Sequence, residues 1–506
     1  MQQKLTGTPS IQPANLLGLI KSKGTNYWMK VRERQMLELF HATSKRVPAY
    51  KDYLKKSKVN PERIETLKDF ASIPPINKKN YLRVYPFDKL VWDGDIKKPI
   101  TIHATSGSTG EPTYFQKEFI FDRRRELILE NFFNCNELTL EGPTLFVITF
   151  GMGVWSAGMS IYTAAYLATN KNTYPISIIS PGINKIEVLK ILKKLAPYYQ
   201  QVIIAGYPPF VKDIIDDALR EGIDIKKFNT RFIFTGESFT EEFRNYLSEK
   251  AGIRNIFTDT MNTYGTSELG AMAVETPASI FIRRLAQKKN VYKELFGDGV
   301  NIPTLAQYIP YFVNFECVSG DLYFTGNNTI PLVRYQPGDS GGVFTFQQLE
   351  NSLLNVDVRL KAEFEKLGIS KYIHKLPFVY VYERKNLATT LYGILIYPEF
   401  LKIALLNRQL NQFLTGKFTM IRKHDKRQNQ YLEINLELKK GVYFKKYYET
   451  KTLEKIIETL KLKSSEFREL YKNLQNKANP KLVFWPYEDE KYFKPGIKQT
   501  WVKKIS

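Results

Sequence analysis

Residues 104–115, ATSGSTGEPTYF, follow a short β-type run at 99–103 and decide how the rest of the chain is read. Gly107 and Gly110 let the backbone turn sharply, and successive N–H groups in such a turn form a concavity that binds anions. The hydroxyls of Thr105, Ser106, Ser108 and Thr109 add donors that can follow phosphate oxygens. No Gly-Lys-Ser/Thr follows, so the stretch is not a P-loop of the GxxxxGK[ST] kind. A linker or turn uses the same residue types, and the loop gains meaning from what surrounds it.

Length and composition narrow the surroundings. At 506 residues with 43% hydrophobic content, the chain is expected to fold as more than one domain. Two cysteines, Cys135 and Cys317, make no CxxC and no disulfide framework, and four histidines argue against a His-rich metal site. A reducing, cytoplasmic setting is expected, because the opening MQQKLTGTPS has no apolar signal-peptide core. Residues 144–170 carry no charge, yet they divide into a β-type run, a glycine-broken loop and a helix-like segment, which argues against a membrane span.

The net charge is +23, and residues 401–506 hold 24 Lys+Arg against 11 Asp+Glu. A solvated lysine-rich surface accounts for this, and a surface for a polyanion would as well. The run IRKHDKR at 421–427 is the densest cluster. No zinc-finger, RNP-type or helix-turn-helix signature accompanies it, so nucleic acid is not expected as a partner.

Along the chain, residues 27–42 and 50–56 have helical spacing around the breaker Arg46-Val47-Pro48, and Pro74-Pro75 stops a further helix before 78–82. From about 96 to 344, β-type runs alternate with amphipathic helices, predicting an α/β core. The clearest helix is 208–221, with Phe210, Val211, Ile214, Ile215, Ala218 and Leu219 on one face and Gly222 just past its end. Residues 201–205, 231–234 and 255–258 read as short buried strands. From about 378 the pattern becomes β-β-α-β-β-α, ending in a long helix around 451–475, which predicts a separate small α+β domain.

Three further segments follow the loop in order: Gly236-Glu237-Ser238 at a strand end, NTYGTSELGA at 262–271, and GDLYFTGNNTIPLVRYQPGD at 320–339. The series resembles the adenylate-forming (acyl- and aryl-CoA synthetase) superfamily. The N-terminal run RVPAYKDYLKKSKVNPERIETLKDFASIPPINKKNYLRVYPF is similar to the phenylacetate–CoA ligase-like branch, whose relatives include capsule-biosynthesis proteins and the luminescence acyl-protein synthetase. The resemblance covers nearly the whole chain. It implies a large α/β adenylate-forming domain with a helical N-terminal region at 1–95 and an ATP- and carboxylate-binding core at 96–384. A small mobile α+β domain at 385–506 would complete it.

The resemblance also implies a chemistry. A carboxylate attacks the α-phosphorus of ATP, pyrophosphate leaves, and the acyl-adenylate is passed to a thiol of coenzyme A or of carrier-protein phosphopantetheine. The substrate is itself the nucleophile, so catalysis is positioning and charge neutralisation. Thr105, Ser106, Gly107, Ser108, Thr109 and Gly110 would hold the phosphates, and Glu268 would reach Mg²⁺. Asp339 would accept from both ribose hydroxyls. Gly236, Glu237, Ser238, Tyr264, Gly265 and Thr266 would line the adenine and ribose. Phe150, Gly151, Trp155, Tyr207 and Phe239 would border the carboxylic acid. Arg384 occupies the hinge arginine position, Gly393 a later loop, and Lys498 (with Lys494 and Lys503 as rivals) the place of the adenylation lysine.

Three departures stand out. Glu111 occupies the place where the family commonly has lysine, Pro337 replaces a usual threonine, and residues 439–506 match poorly. The basic C-terminal region would suit coenzyme A or an acidic acyl-carrier protein. Two other readings use the same residues: transfer to an amine or hydroxyl, and a weakened family member that binds polyanions.

Overall fold

The computed structural model describes residues 13, 15–97, 100–105, 113–153, 156–171, 173–297, 302–382, 389–405, 407–493 and 502. Two strands, β1 (Ile100–Thr105) and β2 (Thr113–Glu118), form an antiparallel hairpin. Twelve further strands, among the described residues, make one large mixed sheet. In chain order they are β3 (Thr144–Thr149), β4 (Ile176–Ile179), β5 (Gln201–Gly206), β6 (Arg231–Thr235), β7 (Thr260–Thr266), β8 (Gly270–Val274), β9 (Thr304–Tyr308), β10 (Val313–Val318), β11 (Asp321–Gly326), β12 (Leu332–Tyr335), β13 (Ser340–Phe344) and β14 (Phe378–Tyr382).

The half running β4-β3-β5-β6-β7 is parallel, and from β7 onward the pairings are antiparallel. Sequence periodicity explains why the parallel half is buried on both faces. Leu145, Val147, Val202, Ile204, Phe232 and Phe234 pack with Val188, Ile214 and Leu247 of three helices on one side. The alternate residues Phe146, Ile148, Ile203, Ala205 and Ile233 meet Leu129, Phe133, Ile161 and Ala164 on the other. Each strand therefore reads as a continuous apolar run. This is the α/β core expected from the alternation.

The helices Thr25–Arg46 and Pro48–Lys56 meet at Val47, where Pro48 opens the second. Pro208–Arg220 forms as predicted. Residues 144–170 form β3 and the helix Ser156–Thr169, and no helix among the described residues is long and apolar enough to cross a membrane.

Three expectations need correction. Residues 255–258 are a turn, not a strand: the Asn255 side chain accepts from the Phe257 N–H, and Asp259 Oδ2 accepts from the Asn255 N–H, so local side-chain bonds replace a ladder. The run at 378–382 joins the large sheet between β9 and β13, so the β-β-α pattern does not begin there. The long C-terminal helix is two helices, Lys446–Lys463 and Ser465–Leu474, because Ser464 caps the second through its hydroxyl.

After β14 the chain makes a hairpin of β15 (Thr389–Leu391) and β16 (Ile394–Ile396) and a helix, Pro398–Leu405. A three-stranded sheet follows, formed by β17 (Leu414–His424), β18 (Gln430–Leu438) and β19 (Lys481–Trp485). β19 lies parallel to β18.

Candidate active site

In an open α/β sheet the carboxyl ends of neighbouring parallel strands border the ligand crevice. β3, β5, β6 and β7 are successive neighbours, and each ends in a segment singled out by sequence. Phe150 and Gly151 follow β3, Tyr207 follows β5, Gly236-Glu237-Ser238 follow β6, and Tyr264, Gly265 and Thr266 finish β7 just before Glu268. The rings of Phe150 and Tyr207 meet edge to face at 5.0 Å. A Cβ placed on Gly236 would stand 2.8 Å from the Tyr207 ring. Phe239 goes elsewhere: it packs on Phe234 and Phe243 in the helical layer, and its carbonyl accepts from Arg283.

The last segment is brought in by two tyrosines. Tyr264 Oη donates to Asp339 Oδ2 at 2.6 Å, and Tyr335 Oη donates to Glu268 Oε1 at 3.2 Å. Asp339 and Glu268 are both buried. Asn328 holds the backbone of Glu268, its Nδ2 donating to the carbonyl at 2.7 Å.

Lys78 is a site residue that the sequence reading did not single out. Its Nζ lies 2.8 Å from Glu268 Oε1. It is delivered by a backbone bridge, Ile76 N–H to Arg334 O at 3.2 Å and Gln336 N–H to Ile76 O at 2.8 Å. Asn77 then caps the helical turn Lys78–Leu82. The signal was the dipeptide Pro74-Pro75, which fixes an extended segment able to make that bridge.

The Glu237 side chain turns toward β15–β16 and β18. Its carboxylate accepts from the Gly393 N–H, from Gln430 Nε2 at 2.7 Å, and lies 3.7 Å from Arg422 Nη1. Gln430 in turn accepts from the Tyr392 N–H at 2.7 Å. Burial pushes the Arg422 guanidinium down, and the Glu237 charge opposes that shift. Gly393 has φ +81°, and a Cβ there would run into the Tyr207 ring. A glycine at the β15–β16 turn is thus required twice over, by conformation and by close approach. Lys212 and Asp213 on Pro208–Arg220 continue the contact, bonding Asn429 Oδ1 at 2.7 Å and Lys477 Nζ at 3.1 Å.

For Thr105 the backbone alone is described. Ser106, Gly107, Ser108, Thr109, Gly110, Trp155, Arg384 and Lys498 lie outside the described residues. The Glu268 carboxylate is a hard oxygen ligand, and Mg²⁺ is typically held by one or two carboxylates with substrate phosphates and water. The donor type fits, with Lys78 on the same oxygen.

No family model matches the chain. Two curated relatives do: a phenylacetate-coenzyme A ligase of Thermus thermophilus, 22% identical over 315 residues (61% of this chain, 64% of that protein), and one of Aromatoleum evansii, 23% identical over 338 residues (66% and 69%). The matched parts span about two thirds of those relatives. Solved structures of 2-hydroxyisobutyryl-CoA ligase cover 98% of this chain. In the thioesterification state with 2-HIB-AMP and CoA the TM-score is 0.62 at 13% identity over 94% of that chain. In a postadenylation state and in an open conformation it is 0.53. The chain thus shares the fold of 2-hydroxyisobutyryl-CoA ligase and is similar in sequence to the two phenylacetate-coenzyme A ligases.

Proposed function

We propose that this protein activates a small carboxylic acid with ATP and transfers the acyl group to coenzyme A. The observation that carries the reading is the convergence of separate segments, 150–151, 207, 236–238, 264–268 and 335–339, on one crevice edge. Asp339 and Glu268 are tied there through Tyr264 and Tyr335. The names of the curated relatives support coenzyme A as acceptor. Consumption of ATP and coenzyme A suits a cytoplasmic enzyme.

In this reading a carboxylate oxygen of the acid attacks the α-phosphorus, the bond to the β-phosphate breaks, and pyrophosphate leaves. The thiolate then attacks the acyl carbon and AMP departs. Tyr264 fixes the Asp339 carboxylate for the ribose diol, since a two-oxygen acceptor fits two hydroxyls. Phe150 and Tyr207 form an apolar wall for the acid, and the loop at 105–110 takes the phosphates. Mg²⁺ at Glu268 would neutralise phosphate charge. Lys78 sets the orientation of that carboxylate. Arg384 and Lys498 keep the hinge and adenylation roles implied by the family.

We divide the chain at 95/96 and 384/385, the last part being the mobile unit. The higher TM-score against the thioesterification state supports reading the contact of Gly393 with Tyr207 and Glu237 as the thioester-forming arrangement, a hinge change of known type. The test is carboxylate-dependent ATP–pyrophosphate exchange across aromatic, aliphatic and dicarboxylic acids, with Asp339→Ala as control. Exchange with one class, lost in the control, is expected. Failure of ATP–Mg²⁺ to bind the purified protein would overturn the reading.

A further inference from the structure

A second concentration of charge lies where β2 and the helix Phe119–Phe133 meet Gly270. Register on the β1–β2 hairpin pairs Thr101 with Lys117 and His103 with Phe115, so Lys117 and His103 share one face. Lys117 is 4% exposed, and its Nζ meets Ser160 Oγ at 3.3 Å. Arg125, on the helix Phe119–Phe133, reaches the same place. A Cβ built on Gly270 would stand 3.1 Å from Arg125 Nη2 and 3.3 Å from Lys117 Nζ. Gly270 has φ +84°, a conformation that disfavours any side chain filling the gap between the two cations.

Lys117, Arg125 and Gly270 line a shallow cleft with Phe121, Asp122 and Ala271. Among the described residues neither Lys117 nor Arg125 forms an ion pair, and Asp122 is the one carboxylate on the cleft wall. The neighbouring Arg124 is already engaged: Nη1 donates to Asn327 O at 2.7 Å, and the guanidinium covers the rings of Phe121 and Phe312. His103 is buried with Nδ1 unpartnered. Burial pushes the Lys117 amine down to about 7, with Arg125 adding to the shift and Asp122 opposing it. Buried Lys117, half-buried Arg124 and half-buried Arg125 thus face one carboxylate, Asp122, which leaves the cluster short of an anion, whereas charges withdrawn from water ordinarily come paired.

Shared packing links the cleft to the wall assigned to the acid. Ala271 packs in the same apolar cluster as Phe150 and Tyr207. Ser160 lies on the helix Ser156–Thr169, which begins shortly after the turn at 150–153.

We propose that Lys117 and Arg125 bind a second anionic group on the carboxylic acid, so that the preferred substrate is doubly charged: a dicarboxylate, or a carboxylate bearing a sulfonate or phosphate. The inference rests on the acid-activating function proposed above. A planar Arg125 fork suits a two-oxygen anion, and Lys117 supplies a point charge from the other side. Anionic phosphates of ATP share this chemistry, and Glu111 leaves their loop without its usual lysine, so the test separates the two sources.

Pyrophosphate exchange is measured with matched acids, 4-carboxyphenylacetate against phenylacetate and adipate against hexanoate, for the wild type, Lys117→Met and Arg125→Gln. Circular dichroism confirms that each variant is folded. The wild type is expected to favour the doubly charged member of at least one pair, and either variant to reduce that kcat/KM ratio at least tenfold, with Lys117→Arg restoring part of it. A raised KM for ATP with the acid ratio unmoved overturns the proposal and gives the cations to the phosphates. Equal loss for both members of each pair overturns it in favour of a structural role. If no acid supports exchange, calorimetric titration with 4-carboxyphenylacetate decides separately. Heat of binding that is lost in Lys117→Met upholds the anion site, the enzyme reading being decided separately by ATP–Mg²⁺ binding, and absence of heat in the wild type removes the site.

Discussion

Two charge clusters in this molecule obey opposite rules. Around Arg244 every charge is answered. Its guanidinium bonds Glu241 at 3.0–3.2 Å, both oxygens of Glu275 at 2.8 Å and Thr260 Oγ1 at 2.7 Å. Arg283 bonds the same two carboxylates and the carbonyls of Pro303 and Phe239, and Glu275 accepts from the Asn262 N–H at 3.1 Å. The surrounding carboxylates hold Arg244 well above its ordinary range, and the arginines hold Glu241 below its own. Around Lys117 and Arg125 the cations outnumber the carboxylates, and the lysine is pushed down instead. A saturated network locks the helix Glu241–Ala251 to the sheet and has no valence left for a ligand. An unsaturated one is a place where a ligand completes the charge balance.

The sharpest test of this contrast is to open the saturated cluster. Glu275→Ala strands Arg244 and Arg283 without their shared partner, and breaking a buried pair in this way costs about 3–5 kcal/mol. The urea midpoint of the protein should fall accordingly. A loss under about 1 kcal/mol, the range of exposed pairs, would show that the network is not the lock described.

Glu237 stands between the two types. Its carboxylate is satisfied, but by groups of β15–β16 and β18 that belong to the part of the chain proposed to move. Glu237→Ala should slow transfer from a preformed acyl-adenylate to coenzyme A about tenfold, the effect of one charge-assisted hydrogen bond of about 1.5 kcal/mol. Pyrophosphate exchange should lose much less. Equal losses in both half-reactions would place Glu237 in the base pocket, as the sequence suggests, and not at a latch.

The sequence carried the parallel half of the core because its strands are apolar runs between helices with one apolar face, as at 208–221. It carried the site's order because the glycine- and hydroxyl-rich segments fall at strand ends. It did not carry Lys78, Lys117 or Arg125. A lysine in PPINKKN or in YFQKEF looks like any solvated lysine among 74 basic residues, since burial depends on which surfaces later meet. Residues 378–382 were misplaced for a related reason: an isolated β-type run does not say which sheet it will join. Glu237 was placed beside the correct strand end, yet its side chain follows partners nearly 200 positions away that no local pattern reveals.

The smallest effect comes from the unsaturated cluster, and its sign is the informative part. Lys117→Met removes a cation that burial disfavours, so with no acid bound the variant should be no less stable than the wild type. The pH dependence follows from linkage. The lysine binds its proton with a value of about 7 in the folded chain against 10.5 when exposed. Between these values the unfolded chain holds the extra proton, so this residue's contribution to wild-type stability improves as pH rises. The advantage of Lys117→Met should therefore be fully present below about pH 7 and shrink steadily toward pH 10.5. Adding a doubly charged acid near pH 6.5 should reverse the order, because the ligand stabilises the wild type in which the cation remains. A variant destabilised at every pH, with no response to ligand, would make Lys117 a packing residue and erase the distinction between the two clusters.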